Sequence, residues 1–121
     1  MITKELGDGG EAQAWEFLQR QGLTLIRRNY RVAGGPRVRA SEVDLIVLDR
    51  DGTLVFVEVR VRNNASFGGA AASVTYSKQR SLVHAAQHFI RSYATVPPCR
   101  FDVVAIDRGR VDWIRGAFDA A

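Results

Sequence analysis

The chain alternates between helical and strand-like periods of apolar residues, and the changes mark its elements. In residues 11–22, EAQAWEFLQRQG, Ala14, Trp15 and Leu18 fall on one stripe and Gly22 is a helix stop. LTLIRRNYRV, residues 23–32, is strand-like, and Gly34-Gly35-Pro36 breaks it. SEVDLIVL and TLVFVEVRVR are two further apolar runs joined at Asp51-Gly52, which predicts an antiparallel hairpin. The small residues of 63–73 predict a loop. A second helix over about 76–93 puts Leu82, Ala86, Phe89, Ile90 and Tyr93 on one face, and Pro97-Pro98 ends the linker after it. RFDVVAID and RVDWIR then predict two strands around Arg108-Gly109. The order is α-β-β-β-α-β-β, without an internal repeat, and the expected class is α/β, a mixed sheet flanked by helices.

The hairpin strands carry Glu42, Asp44 and Glu58, although carboxylates are seldom buried without a partner. Simple alternation puts Val55, Val57, Val59 and Val61 on one face of their strand and Phe56, Glu58, Arg60 and Arg62 on the other. In the neighbouring strand, Glu42, Asp44 and Ile46 share a face opposite Val43, Leu45 and Val47. A hairpin closing near Asp51-Gly52 brings Asp44 and Glu58 together. Glu11 lies four residues before Trp15 and seven before Leu18, so it projects from the stripe that meets the sheet.

Two arrangements account for these acids. In one, Asp44 and Glu58, aided by a main-chain carbonyl between Glu58 and Arg60, bind a hard cation such as Mg²⁺, which prefers oxygen ligands and tolerates substrate phosphate. In the other, Arg60 and Arg62 neutralise Asp44 and Glu58 in a cross-strand ion-pair ladder. The residues alone leave both open.

A chain of 121 residues suits one domain with a real core. The N-terminal stretch lacks the apolar core of a secretory signal, no run approaches the ~18 apolar residues of a membrane span, and Cys99 has no second cysteine to pair with. These features point to a cytoplasmic protein with no membrane partner. The net charge is +4, but its distribution matters more. No acid lies between Glu16 and Glu42, a stretch holding Arg20, Arg27, Arg28, Arg31, Arg37 and Arg39. None lies between Glu58 and Asp102, where Arg60, Arg62, Lys78, Arg80, Arg91 and Arg100 occur. Such blocks suit a polyanion, and arginine offers phosphate a bidentate grip, although a solvated basic surface has the same composition.

Other motifs narrow the chemistry by absence. His84 and His88 are spaced i, i+4, but the glutamate of the HExxH zinc signature is missing, and both fall with Arg80, Gln87 and Arg91 on the polar side. Neither GxxxxGK[ST] nor GxGxxG occurs, so nothing supports a nucleotide cofactor. Tyr76, Lys78, Gln79 and Arg80 open the second helix, where main-chain N–H groups favour anions. Asp102, in an apolar strand, is explained by pairing with a neighbouring arginine.

The ordered runs GEAQAWEFL, RNYR, SEVDLIVLDRDGTLVFVEVRVR, FGGAAASVTYSKQR, CRFDVVAI and VDWIRGAF resemble the YraN-like family of small bacterial proteins. The likeness covers about Gly10 to Phe118. It implies a compact restriction-endonuclease-like fold with the PD-(D/E)XK nuclease motif, and Holliday-junction resolvases among the structural relatives. On this resemblance Asp44 is the motif aspartate, Glu58 its second acid, Glu11 the acid of the first helix and Gln79 a polar helper on the second. Glu42 also belongs to the family motif, with Ser41 where glycine is usual. Arg60 occupies the lysine position; it can stabilise negative charge but, with a pKa above ~12, cannot serve as a proton acceptor.

The expected activity is therefore Mg²⁺- or Mn²⁺-dependent endonucleolytic hydrolysis of DNA, branched or damaged DNA included. Asp44 and Glu58 would bind the metal with Glu11 in support, and Arg27, Arg28, Arg31, Arg62, Lys78 and Arg80 would hold phosphates. The alternative is a non-catalytic nucleic-acid-binding module that keeps the fold. Resolvase-like relatives act as dimers, which raises a homodimer as a further expectation, although no surface apolar stripe identifies an interface.

Overall fold

The computed structural model describes residues 2–62 and 74–120, with side chains from Gly9 onward, that of Arg62 excepted. The predicted loop over 63–73, including Gly68-Gly69, lies outside the described residues. Helix α1 (Ile2–Arg20) leads into strands β1 (Thr24–Val32), β2 (Ser41–Leu48) and β3 (Leu54–Arg62). Helix α2 (Tyr76–Phe89) runs into a 3₁₀ turn over Ile90–Ser92, followed by β4 (Cys99–Asp107) and β5 (Arg110–Phe118). The order agrees with the sequence pattern. The first helix, however, begins nine residues before the predicted start at Glu11, and the second gives way to 3₁₀ geometry before Tyr93.

The five strands lie in the sheet in chain order. All neighbours are antiparallel except β3 and β4, which are parallel and joined through α2. The predicted turns hold. Asp49 N–H donates to the Thr53 carbonyl (2.8 Å), Gly52 takes φ +90°, and the β4–β5 turn has positive φ at both Arg108 and Gly109.

Two apolar layers sandwich the sheet. Ala14 and Leu18 of α1 pack on Leu45, Val47, Val55, Val57, Val104 and Ile106, while Leu82, Ala85 and Ala86 of α2 pack on Val43, Ile46, Leu54, Phe56, Phe101 and Val103. Helix α1 ends in a Schellman motif. Leu23 N–H reaches the Leu18 carbonyl, Gly22 N–H reaches that of Gln19, and Gly22 sits at φ +93°. The accompanying apolar contact is in place, since Leu18 and Leu23 share one core cluster. Helix α2 is capped by Thr75, whose hydroxyl accepts the Lys78 N–H at 3.2 Å.

Strict alternation fails in β2. Val43 and Ile46 pack toward α2, but Leu45 between them packs toward α1. The switch falls at Asp44, opposite Asn29 of β1, which adopts φ +50°. The expectation that Glu42, Asp44 and Ile46 form one face is corrected here: a left-handed residue in the partner strand re-aims the side chains beyond it. Pairing of β2 with β3 also stops at Leu45–Val57, so the two strands fork from Asp44 and Glu58 onward.

Asp102 behaves as expected. Its fully buried carboxylate accepts from Arg100 Nε (2.9 Å) and Nη2 (3.0 Å), from Trp113 Nε1 (2.9 Å) and from Gly116 N–H (2.9 Å). Arg100 in turn bonds Asp49 (2.9 Å), tying β4 and β5 to the β2–β3 hairpin.

Candidate functional site

The fork between β2 and β3 gathers the acids. Asp44 Oδ2 accepts the Val59 N–H at 2.8 Å, replacing a ladder bond that β2 no longer provides. From there the Asp44 carboxylate lies near enough to Glu11 and Glu58 for its charge to act on both. Glu11 comes from α1. Gly10, next to it, packs so closely on β3 that a Cβ would stand 2.5 Å from a methyl of Val61. Asn29 completes this side: in the orientation its neighbours dictate, its amide nitrogen donates to Glu11 Oε1 (2.8 Å) and Oε2 (3.2 Å). The left-handed residue that turns the strands thus also holds the helix-borne acid.

Glu58 is buried, with a side chain 5% exposed. Its Oε2 meets Arg60 Nη2 at 3.0 Å and Lys78 Nζ at 3.7 Å, whereas its buried Oε1 has no partner among the described residues. Arg60 Nε is likewise buried and without a partner among the described residues. Burial first, and the charge of Asp44 second, raise the Glu58 carboxyl to about 7 against the pull of Lys78 and Arg60. Glu11 is also raised to about 7, by burial and then by Asp44, with the Asn29 hydrogen bond opposing. Three carboxylates therefore share a volume in which their cationic neighbours compensate them only in part.

This donor set fits a hard divalent cation: it is all oxygen, it includes an orphaned buried oxygen, and its charge excess is what a cation relieves. The carboxylates are not drawn into a compact three-ligand cluster among the described residues. The ion-pair arrangement is present in part through Arg60–Glu58; the side chain of Arg62 lies outside the described residues.

Beside the acids opens a cleft of about 830 Å³. Arg37 and Arg39 enter it from the β1–β2 connection, Arg60 from β3, and Lys78, Arg80 and His84 from α2; no acid among the described residues lines it. Arg60 connects the two regions, since it lines the cleft while pairing with Glu58. Of the expected phosphate-binding residues, Lys78 and Arg80 are here. Arg27, Arg28 and Arg31 lie exposed on edge strand β1, outside this lining. There a bulge between Leu25 and Arg27, together with the charges, deters pairing with another chain, and Arg27 covers the Tyr30 ring at 5.5 Å.

Arg37 and Arg39 belong to the basic block, with no sequence signal that marks them as ligands. Their convergence with α2 depends on the fold of the connection, including the Gly35–Val38 bridge, which residue pattern does not reveal. The Gln79 amide nitrogen donates to the Val74 carbonyl at 3.0 Å, holding the approach to α2. His84 and His88 do not pair with each other: Nδ1 of His84 meets Ser41 Oγ at 3.3 Å, and Nδ1 of His88 meets the Tyr30 hydroxyl. Both remain exposed, as the polar face of α2 implied. Cys99 is a free, exposed thiol. No helix of the described residues is long and apolar enough to cross a membrane.

An α/β protein with an acidic fork beside a cationic cleft is the class that fold and site define. By sequence, residues 10–106 match the uncharacterised protein family UPF0102, to which this chain belongs. Similar proteins include a UPF0102 protein of Methylibium petroleiphilum, 60% identical over all of this chain and 99% of the relative. Another, from Cupriavidus necator, is 53% identical over 97% of this chain and 85% of its own length. A third, from Acidovorax, is 50% identical over 98% and 88% respectively. The family is the one that the YraN-like resemblance anticipates.

Proposed function

We propose that this protein is a Mg²⁺- or Mn²⁺-dependent endonuclease with a restriction-endonuclease-like fold, hydrolysing phosphodiester bonds in DNA. The observation that carries the reading is the nearness of Glu11 and Glu58 to Asp44 at the β2–β3 fork, with Arg60 linking it to the cationic cleft. Asp44 and Glu58 would hold the metal, with Glu11 in support. A divalent ion bound there supplies Lewis acidity toward the scissile phosphate and activates water at neutral pH.

The chain's own residues do the rest. Arg37, Arg39, Lys78 and Arg80 seat the phosphate backbone in the cleft. The guanidinium of Arg60, which pairs with Glu58 and lines the cleft, stabilises charge developing on the reacting phosphate. Arg60 accepts no proton, so activation of water does not fall to it. The Val59 N–H fixes Asp44, and Asn29 fixes Glu11.

The test is incubation of purified protein with labelled duplex, single-stranded and branched DNA in Mn²⁺. Cleavage by wild type and its loss in Asp44→Asn is the expected result. Cleavage that survives this substitution discards the assignment. Salt-sensitive binding without turnover under any of these conditions leaves the second reading, a DNA-binding module retaining the nuclease architecture. That reading draws on the presence of arginine at position 60.

A further inference from the structure

A second, smaller cleft of about 350 Å³ opens on α2 beside the cationic one, and its chemistry is different. Arg80 and His84 line both, so the two clefts share a wall. The large cleft is cationic; the small one combines the Tyr76 ring, the apolar Val83, the Gln87 amide and the carboxylate of Asp119. A phosphate would meet repulsion from Asp119. A neutral, flat heterocycle would find an aromatic face, an apolar floor and both donors and acceptors at its edge. Tyr76 is 69% exposed, unusual for so large a ring, and the Arg80 guanidinium lies 5.9 Å from its centre. An exposed ring partnered by arginine, next to a phosphate-binding cleft, is a platform on which a base stacks.

We infer that this small cleft binds an unpaired nucleobase of the strand whose phosphates occupy the cationic cleft. The inference rests on the nucleic-acid reading above and deepens it: the substrate is a strand with exposed bases, such as a single-stranded, flapped or gapped region, rather than an uninterrupted duplex. In a continuous duplex the base faces are buried in the stack and cannot reach Tyr76 without being extruded. Asp119 and Gln87 would meet the hydrogen-bonding edge of the base, and Arg80, shared by both clefts, would span base and backbone.

The experiment compares two labelled oligonucleotides of equal length and phosphate count, one of thymidylate and one wholly abasic, by fluorescence anisotropy in EDTA. Wild type should favour the base-bearing strand about tenfold, the weight of one base–aromatic stack. Tyr76→Ala should erase the preference and Tyr76→Phe should keep it, because stacking needs the ring and not the hydroxyl. Arg39→Ala should weaken both strands equally, since both carry the same phosphates. Equal affinity of wild type for the two strands, or equal weakening of both by Tyr76→Ala, overturns the base site and leaves the phosphate-binding reading intact. Failure of either strand to bind at any salt concentration removes both readings together.

Discussion

Asp44 accepts the main-chain N–H of Val59 across the point where their strands part, so one carboxylate both closes the sheet and faces the acids at the site. Its two duties separate by substitution. Asp44→Asn keeps an acceptor for Val59 while removing charge, and is expected to fold normally yet lose Mn²⁺ binding by calorimetry. Asp44→Ala leaves a partly buried N–H without its partner and should cost about 1–3 kcal/mol in denaturant unfolding besides. Equal stability of the two variants would show that the Val59 bond contributes nothing.

Much of this geometry is readable in the sequence, and the part that is not has a local cause. Val55 and Val57 reveal the α1-facing side of β3, and Ala14 and Leu18 reveal the face of α1, because both patterns reflect burial on one side. The acid-bearing strand misleads because its alternation is broken by Asn29 in a different strand, and no periodicity within 41–48 records that. The early start of α1 is likewise hidden, since Gly9 and Gly10 interrupt an apolar stripe. Gly10 serves close approach to Val61 rather than helix propensity. The cleft arginines at 37 and 39 stand in a connection with no periodic signal, so charge identifies the block but not where it points.

The raised carboxyls give stability a defined pH dependence. Glu11 and Glu58 titrate near 7 in the folded chain against 4.5 ordinarily, so between these values the folded state holds the extra protons. Folding should therefore be favoured at pH 5 and weaken as pH rises through 7, with no further loss from these groups above it. Glu58→Gln should flatten the curve and raise the melting temperature at pH 8. A variant curve parallel to wild type would refute the shared-charge account of the fork.

A cation at the fork would act in the opposite sense to pH. At pH 8, above the raised Glu11 and Glu58 carboxyls, millimolar Mg²⁺ or Mn²⁺ should raise the melting temperature, and EDTA should return it to the starting value. At pH 5.5 protons compete for the same oxygens and the rise should shrink. Glu58→Gln should show little rise at either pH. A metal-induced rise that Glu58→Gln retains in full would place the ion elsewhere.

Arg60 and Glu58 pair at 3.0 Å, yet the guanidinium also lines the cleft, so its contribution to rate and to structure can be distinguished. Arg60→Lys preserves a cation opposite Glu58 and should retain metal-dependent cleavage. Arg60→Gln should lower kcat by about 10²–10³, the scale of losing a preorganised charge-stabilising donor, while KM changes less. It should also raise the Glu58 carboxyl further, moving the acid limb of the rate profile to higher pH, because one of its two cationic neighbours is gone. A structural role alone would lower the melting temperature and leave kcat of the folded variant unchanged, and it is that kcat, measured on folded variant, that decides between them.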